Sequence, residues 1–278
     1  LTPVTSQELQ LWGTLIKSVC GNNVDDKAYL IESRLSPVAK EINCDSWQEL
    51  YYKVKNDISG MLKRKVINAI TTNETSFFRD NSPFEMLKYK ILPDLIDKRK
   101  KVTPPGSDIP VRIWSAACST GQELYSIAIA VRESFGNLKG YDVRLLGTDI
   151  SDEVVAKASR GIYNKMEIER GLAPDALNRN FEKTGSEWKI KDEIRALATF
   201  KHLNLLEPFA FPGKFDIVFC RNVAIYFVTD DRKKLYTNIG KTLAPDGYLI
   251  IGATESLANL CPQFKSFRYL RSVYYQLE

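Results

Sequence analysis

Histidine is almost missing from this chain: His202 is the single example in 278 residues. That scarcity disfavours the hydrolase chemistries that need a histidine base. Cysteine is sparse and scattered. Cys20, Cys44, Cys118, Cys220 and Cys261 form no CxxC pair. A zinc site is therefore not expected, nor is a disulfide scaffold, and reduced thiols in the cytoplasm are the expectation. No apolar run reaches the roughly 18 to 20 residues that cross a bilayer, so direct membrane insertion is not expected. The opening LTPVTSQELQLW lacks the basic-then-apolar order of a secretory signal. A strong charge bias is absent too. The net charge of +5 is modest beside the basic excess of most nucleic-acid binders, and no nucleic acid is expected as partner. Finally, the chain has no GxGxxG, the glycine pattern that lets a backbone approach a pyrophosphate.

What is present falls into two halves. Hydrophobic content of 44% and charged content of 26% are ordinary globular values, and the length suits two domains or one with an appendage. Leu9, Leu11, Trp12, Leu15, Ile16 and Val19 recur at helical spacing, and GNN ends that segment. Helices are also expected over Ala28 to Ile42, Ser46 to Lys55, Ser59 to Ile70 and SPFEMLKYKILPDL, the last with Ser82 as N-cap and Pro83 in its first turn. KKVTPPGSDIP (residues 100–110) is a linker by composition. Beyond it strands and helices alternate: VRIWSA, GQELYSIAIAVRESFG, VRLLGTDI, SDEVVAKASRGIY with Ser151 as cap, FDIVFCRN, then DRKKLYTNIGKTLAPDGYLIIGA with a turn at Pro245 to Gly247. This order argues a parallel, doubly wound α/β sheet. FKSFRYLRSVYYQLE reads as an antiparallel edge, and GSEWKIKDEIRALATFKHL as a hairpin-bearing insertion. The division expected is a helical domain over 1–90, a linker over 91–110, and an α/β domain over 111–278 carrying a small β-subdomain at about 181–202.

Three stretches could carry chemistry. In IWSAACSTGQE a strand enters a loop of small residues, Ser115 to Gly121, and then a helix. Ligands of open α/β sheets bind there, beyond the strand tips, where helix amides offer donors. Asp149 ends the next strand, placed to accept two hydrogen bonds from a ribose diol or to cap the helix that follows. Together they hold a nucleoside without a pyrophosphate grip, which is what S-adenosylmethionine needs. Arg221 and Asn222 follow a third strand in FCRNVAIYF. No Asn/Asp-Pro-Pro-aromatic run marks an amino-group methyltransferase. No Pro-Cys pair marks a cytosine C5 enzyme either, since Cys261 precedes Pro262.

TTNETSFFRD, WSAACSTGQELYSIAIA, LLGTDIS, HLNLL and FDIVFCRNVAIYF, in that order, resemble the CheR-type chemoreceptor glutamate O-methyltransferases. The resemblance covers nearly the whole chain. It implies an all-α N-terminal domain before a class I, Rossmann-like S-adenosylmethionine-dependent methyltransferase domain with a small antiparallel β-subdomain. Position by position it implies contacts to the cofactor from Asn73, Thr75 and Arg79. It adds the acid after the glycine loop, either Glu123 or its neighbour Gln122, and Asp149 as ribose acid. Asn204 and Leu205 would flank the adenine, with Arg221 and Asn222 beyond the strand. The stretch 71–80 would then be a lid, with Asn73, Thr75 and Arg79 facing the methionine end while Phe77 and Phe78 exclude water. A cap-and-core reading of the same residues stands beside it: phenylalanines in the core, Thr72 or Asn73 as a cap.

The implied reaction is methyl transfer to glutamate carboxylates of methyl-accepting chemoreceptors, leaving S-adenosylhomocysteine. A glutamate has an unperturbed pKa of roughly 4.3 and is already anionic near neutrality, so no side chain is expected to act as base. Tyr226 or Phe227 would supply an aromatic wall. The partner would be the cytoplasmic domain of such a receptor. Family members often carry arginines on the second helix, whereas IESRLSPVAKEI offers only Arg34 and Lys40 and is interrupted by Pro37. The basic residues Lys53, Lys55, Lys63, Arg64 and Lys65 are either a docking face or a solvated one. FEKTGSEWKIKDEIR looks short for binding a C-terminal pentapeptide tether, so tether-independent action is expected. Three other readings differ in class: a methyltransferase acting on RNA or a small molecule, a regulatory protein that binds S-adenosylmethionine without transfer, and, weakened by the missing glycines, a nicotinamide dehydrogenase.

Overall fold

A computed structural model describes all 278 residues. Four helices open the chain. In α1 (Ser6–Cys20), Thr5 accepts from the Glu8 amide while the Glu8 carboxylate accepts from the Thr5 amide, and Gly21 at φ 78° ends the helix. α2 (Ala28–Glu41) matches the helix expected over Ala28 to Ile42, and it runs through Pro37 without the interruption read there. Burial of Ile31, Leu35, Val38 and Ala39 along one face outweighs the amide that proline lacks. α3 (Trp47–Lys55) starts on a Ser46 cap, and α4 (Met61–Ile70) follows. Their apolar faces close one core around Trp12, Ile16, Leu35, Trp47 and Leu50, which ends at Ile70.

The next thirty residues turn to a different core. α5 (Ser82–Met86) passes through a π-helical turn, Leu87–Ile91, into α6 (Leu92–Lys100). The wide turn lets the chain continue helically into Pro93, so the expected linker over 91–110 is helical to Lys100. Asn81 occupies the cap position assigned to Ser82, whose hydroxyl instead accepts a bond from Ser272. Phe77, Phe84, Met86, Leu92 and Ile96 are buried with the sheet domain, not with the first four helices.

That sheet combines β1 (Ile109–Ala116), β2 (Tyr141–Asp149), β6 (Ala198–His202), β7 (Phe215–Cys220), β8 (Leu243–Ile251), β9 (Phe264–Tyr269) and β10 (Ser272–Leu277) in the order β6-β2-β1-β7-β8-β10-β9. The first five in that order are parallel, and β10 is antiparallel to both of its neighbours. α7 (Gln122–Phe135), α8 (Asp152–Arg160) and α12 (Thr229–Thr242) cross between strands. The strand order reverses between β1 and β7, the switch point where such sheets bind ligands. Pro245 to Gly247 does not leave the sheet as a turn. It is a bulge in β8, where the pairing jumps from Phe215 with Leu243 to Ile217 with Tyr248.

A second small sheet joins β3 (Ile162–Tyr163), β4 (Phe181–Thr184) and β5 (Glu187–Ile190) in the order β3-β5-β4, beside the short helices α9 (Lys165–Glu169), α10 (Pro174–Asn180) and α11 (Asp192–Arg195). The insertion expected at 181–202 is thus placed differently. Residues 198–202 pair with β2 as an edge of the main sheet, and the subdomain recruits Ile162 and Tyr163 instead. No helix is long and apolar enough to cross a membrane, and all five cysteines are free and buried.

Candidate functional site

A cavity of about 880 Å³, counted with its mouth, lies above the tips of β1, β2 and β7. Asn73, Thr75, Arg79, Glu123, Asp149, Asn204, Leu205, Arg221 and Asn222 all line it, as do Tyr226 and Phe227. Residues from five separated stretches of sequence therefore meet at one place.

The strand tips supply the fixed charges. Asp149 ends β2 and is 7% exposed. One of its oxygens accepts from the Ser119 amide at 2.9 Å and the other from the Ser151 amide at 3.0 Å. Burial pushes its carboxyl above the usual range, and the amides of Ser151, Ser119 and Ile150 pull it back. Capping of α8 falls to Ser151, whose hydroxyl accepts from Val154. Glu123, in the first turn of α7, accepts from the Ser115 hydroxyl at 2.8 Å and pairs with Arg221 at 2.9 Å. Gln122 is buried and bonded to Thr120, away from the cavity, so the acid of this turn that meets the cavity is Glu123.

Arg221 follows β7 and is almost wholly buried. Besides Glu123 it holds the Asp80 carboxylate at 2.7 Å and the Arg79 carbonyl at 2.9 Å, and its guanidinium lies 5.7 Å from the centre of the Phe84 ring. Its Nε is buried without a partner. The carbonyl bond fixes the crossing segment at a turn where Phe78, Asp80 and Asn81 all take positive φ. Upstream, the Ser119 hydroxyl donates to the Asn73 carbonyl at 2.9 Å.

The phenylalanines of TTNETSFFRD do not serve as the lid's inner face. Phe77 is fully buried and meets Tyr163 and Phe181 edge to face at 5.0 and 5.4 Å. Phe78 packs against Phe84, and its amide donates to Ser126. In a segment this irregular, neighbouring side chains follow no fixed period, and the aromatics went to the nearer apolar body. The alternative cap at Thr72 or Asn73 is not used either. Thr71 ends α4, while Thr72 and Asn73 line the cavity.

Sequence reasoning missed the part played by the end of α1. Cys20 and Asn22 line the cavity, the Asn204 amide donates to the Val19 carbonyl, and the Asn23 amide donates to the Tyr226 carbonyl. A β-carbon on Gly21 would lie 2.7 Å from the Phe227 ring, so the helix end and the aromatic wall touch there. GNN was legible only as a helix stop.

The cavity suits a polar nucleoside bearing a cation. Asp149 keeps lone pairs free beyond its two amide bonds, and the Arg221 Nε is an unused buried donor. The loop's one glycine, Gly121 at φ 95°, faces away from any phosphate. A β-carbon there would meet Ala158 at 2.9 Å, so this glycine serves the packing of α7 on α8. The site thus has a buried carboxylate at a strand tip and no glycine-lined cradle for a pyrophosphate.

The family model described as CheR methyltransferase, SAM binding domain, matches residues 73–272, and the one described as CheR methyltransferase, all-alpha domain, matches residues 7–71. Among curated relatives, the chain is 38% identical over 275 residues to Chemotaxis protein methyltransferase 1 of Pseudomonas aeruginosa, covering 97% of each. It is 37% identical over 279 residues to the chemotaxis protein methyltransferase of Vibrio anguillarum, covering 99% of this chain and 98% of that one.

Proposed function

The chain belongs to the CheR family of chemotaxis methyltransferases that use S-adenosylmethionine, and we propose that it esterifies glutamate side chains of methyl-accepting chemoreceptors in the cytoplasm. The observation that carries the choice of acceptor is the lack of a free base at the cavity. Glu123 is committed to Ser115 and Arg221, the lone pairs that Asp149 keeps beyond its two amide bonds go to the ribose, and Glu74 on the rim pairs with Arg170. The thiols of Cys20 and Cys118 are pushed up by burial and do not ionise near neutrality. An acceptor that arrives already anionic needs none of them, and a carboxylate does so at any pH well above roughly 4.3.

The bound cofactor supplies an electrophilic methyl on a sulfonium sulfur. Each residue of the chain then has a share in holding it. Asp149 accepts from the ribose hydroxyls, Asn204 and Leu205 flank the base, and Glu123 lies near the cationic end. Arg79, Asn73 and Thr75 offer polar groups to the methionine carboxylate and amine. Tyr226 and Phe227, with the end of α1, keep water from the opposite side. Positioning alone can lower the barrier by roughly 7–11 kcal/mol, which leaves little for proton transfer to add.

Docking of an acidic receptor helix is assigned to the exposed basic residues of α3 and α4. Lys53, Lys65 and Arg64 already pair with Glu49, Glu41 and Asp152, so Lys55 and Lys63 carry most of the free charge. The β4–β5 hairpin has four residues per strand, in keeping with action that needs no C-terminal tether. The test is label transfer from methyl-labelled cofactor to receptor cytoplasmic domains and to total RNA. Label in the receptor that mild alkali releases as methanol is expected. Alkali-stable label, or label in RNA alone, would overturn the proposal.

A further inference from the structure

Glu255 is a buried carboxylate that nothing above employs. It lies just past β8 and is 8% exposed. One oxygen accepts from the Asn222 amide at 2.8 Å and from the Gly252 amide at 2.8 Å, and the other accepts from the Tyr236 hydroxyl at 3.3 Å. A carboxylate taken out of water is costly unless its lone pairs are filled, so its position is closely specified. Gly252 is part of that arrangement. A β-carbon there would lie 2.4 Å from the Glu255 oxygen and 3.0 Å from the Asn222 side-chain nitrogen.

The residue it holds needs holding. Asn222 takes φ 58°, a left-handed conformation that a side chain disfavours, at the point where the chain leaves β7 and enters the cavity. Arg221 beside it is fixed by Glu123 and Asp80, but the Asn222 side chain has no hydrogen-bond partner in the protein, and Asn222 lines the cavity. We propose that Glu255 is a positioning residue: by clamping the Asn222 amide it holds the Asn222 carboxamide in the orientation that meets the cofactor. This rests on the reading of the cavity as the S-adenosylmethionine site. Glu255 itself does not line the cavity, so its effect on binding passes through Asn222.

The test is calorimetric affinity for S-adenosylhomocysteine on the full chain, with thermal midpoints measured alongside. Glu255→Ala is expected to weaken binding at least tenfold, while Glu255→Gln, which keeps one acceptor oxygen, stays within about threefold. Tyr236→Phe removes the other partner of the carboxylate and is expected to leave affinity unchanged. Asn222→Ala is expected to weaken binding, and Asn222→Ala with Glu255→Ala to be no weaker than Asn222→Ala alone. If Glu255→Ala does not fold, Glu255→Asp, too short to reach both amides, takes its place with the same expected outcomes. Wild-type affinity in Glu255→Ala, a Tyr236→Phe variant as weak as Glu255→Ala, or single losses that multiply in the double variant would each overturn the clamp. Failure of the wild type to bind S-adenosylhomocysteine would instead overturn the reading of the cavity.

Discussion

On the strand-tip side of the cavity the charged side chains already have partners in the protein: Glu123 in Ser115 and Arg221, Asp149 in the Ser119 and Ser151 amides, Arg221 in Asp80. On the crossing segment, Arg79 has one side-chain bond, to the Glu74 carbonyl, and the side chains of Asn73 and Thr75 have none. The first wall is preorganised. Its charges are aimed before a ligand arrives and cost little to reorganise. The second wall has a fixed backbone and uncommitted side chains, so its order is completed by what binds. Substitutions in the two walls should therefore fail in different ways.

The largest effect is expected at Arg221. Arg221→Ala leaves Glu123 uncompensated in a largely buried setting and frees the Arg79 carbonyl, and removing one partner of such a pair costs roughly 3–5 kcal/mol. A urea midpoint shift of that size, with S-adenosylhomocysteine binding lost, would confirm that the platform is one unit; a stable, binding variant would break the contrast. Next comes Asp149→Asn, expected to weaken binding about 10- to 150-fold, the value of roughly 1.5–3 kcal/mol for hydrogen bonds to a charged group. The sign with pH is fixed by the raised carboxyl of Asp149. Ribose donors favour the ionised form, so wild-type affinity should fall as pH drops through that raised value, and titration calorimetry of Asp149→Asn should show this dependence gone. Arg79→Ala sharpens the comparison from the other wall: affinity within about tenfold of wild type, with single-turnover methyl transfer reduced by more than the affinity.

A separate effect, read on stability rather than binding, concerns how the segment is fastened. Gly171 has φ 100°, and a β-carbon there would lie 2.0 Å from the Phe77 carbonyl. Gly171→Ala should destabilise by roughly 1–3 kcal/mol, the range of strained backbone positions, read by thermal unfolding. Loss of affinity larger than loss of stability would show that the subdomain loop sets the position of the lid.

The platform was legible in the sequence because its chemistry follows strand ends. A parallel strand must deliver its last residue to the crevice, so Ser115, Asp149 and Arg221 could be placed from periodicity and small-residue loops alone. The helices α1 to α4 announced themselves by apolar spacing and by the caps at Ser46 and Gly21. The losses came where local signals were overruled by packing. Pro37 read as an interruption of the second helix but was absorbed by its buried face, and the linker expected over 91–110 gave way to helix as far as Lys100. Residues 198–202 read as hairpin because a five-residue edge strand with an exposed face lacks the apolar run of its neighbours. Phe77 and Phe78 carried no register to say which body they would join. Glu255 left no trace, since two of its three partners are backbone amides that any sequence possesses and the third, Tyr236, lies on a distant helix.

The core of the opening helices ends at Ile70, while the crossing segment is tied to the sheet body at Ser119, Ser126 and Arg221. The grip on the cofactor therefore travels with the sheet domain, and only the end of α1 reaches in from outside. A lineage could exchange its opening helices across the short junction after Ile70 as long as the end of α1 kept its contacts with Asn204, Tyr226 and Phe227. Such modular inheritance would let one methyl-transfer engine serve many adaptation circuits.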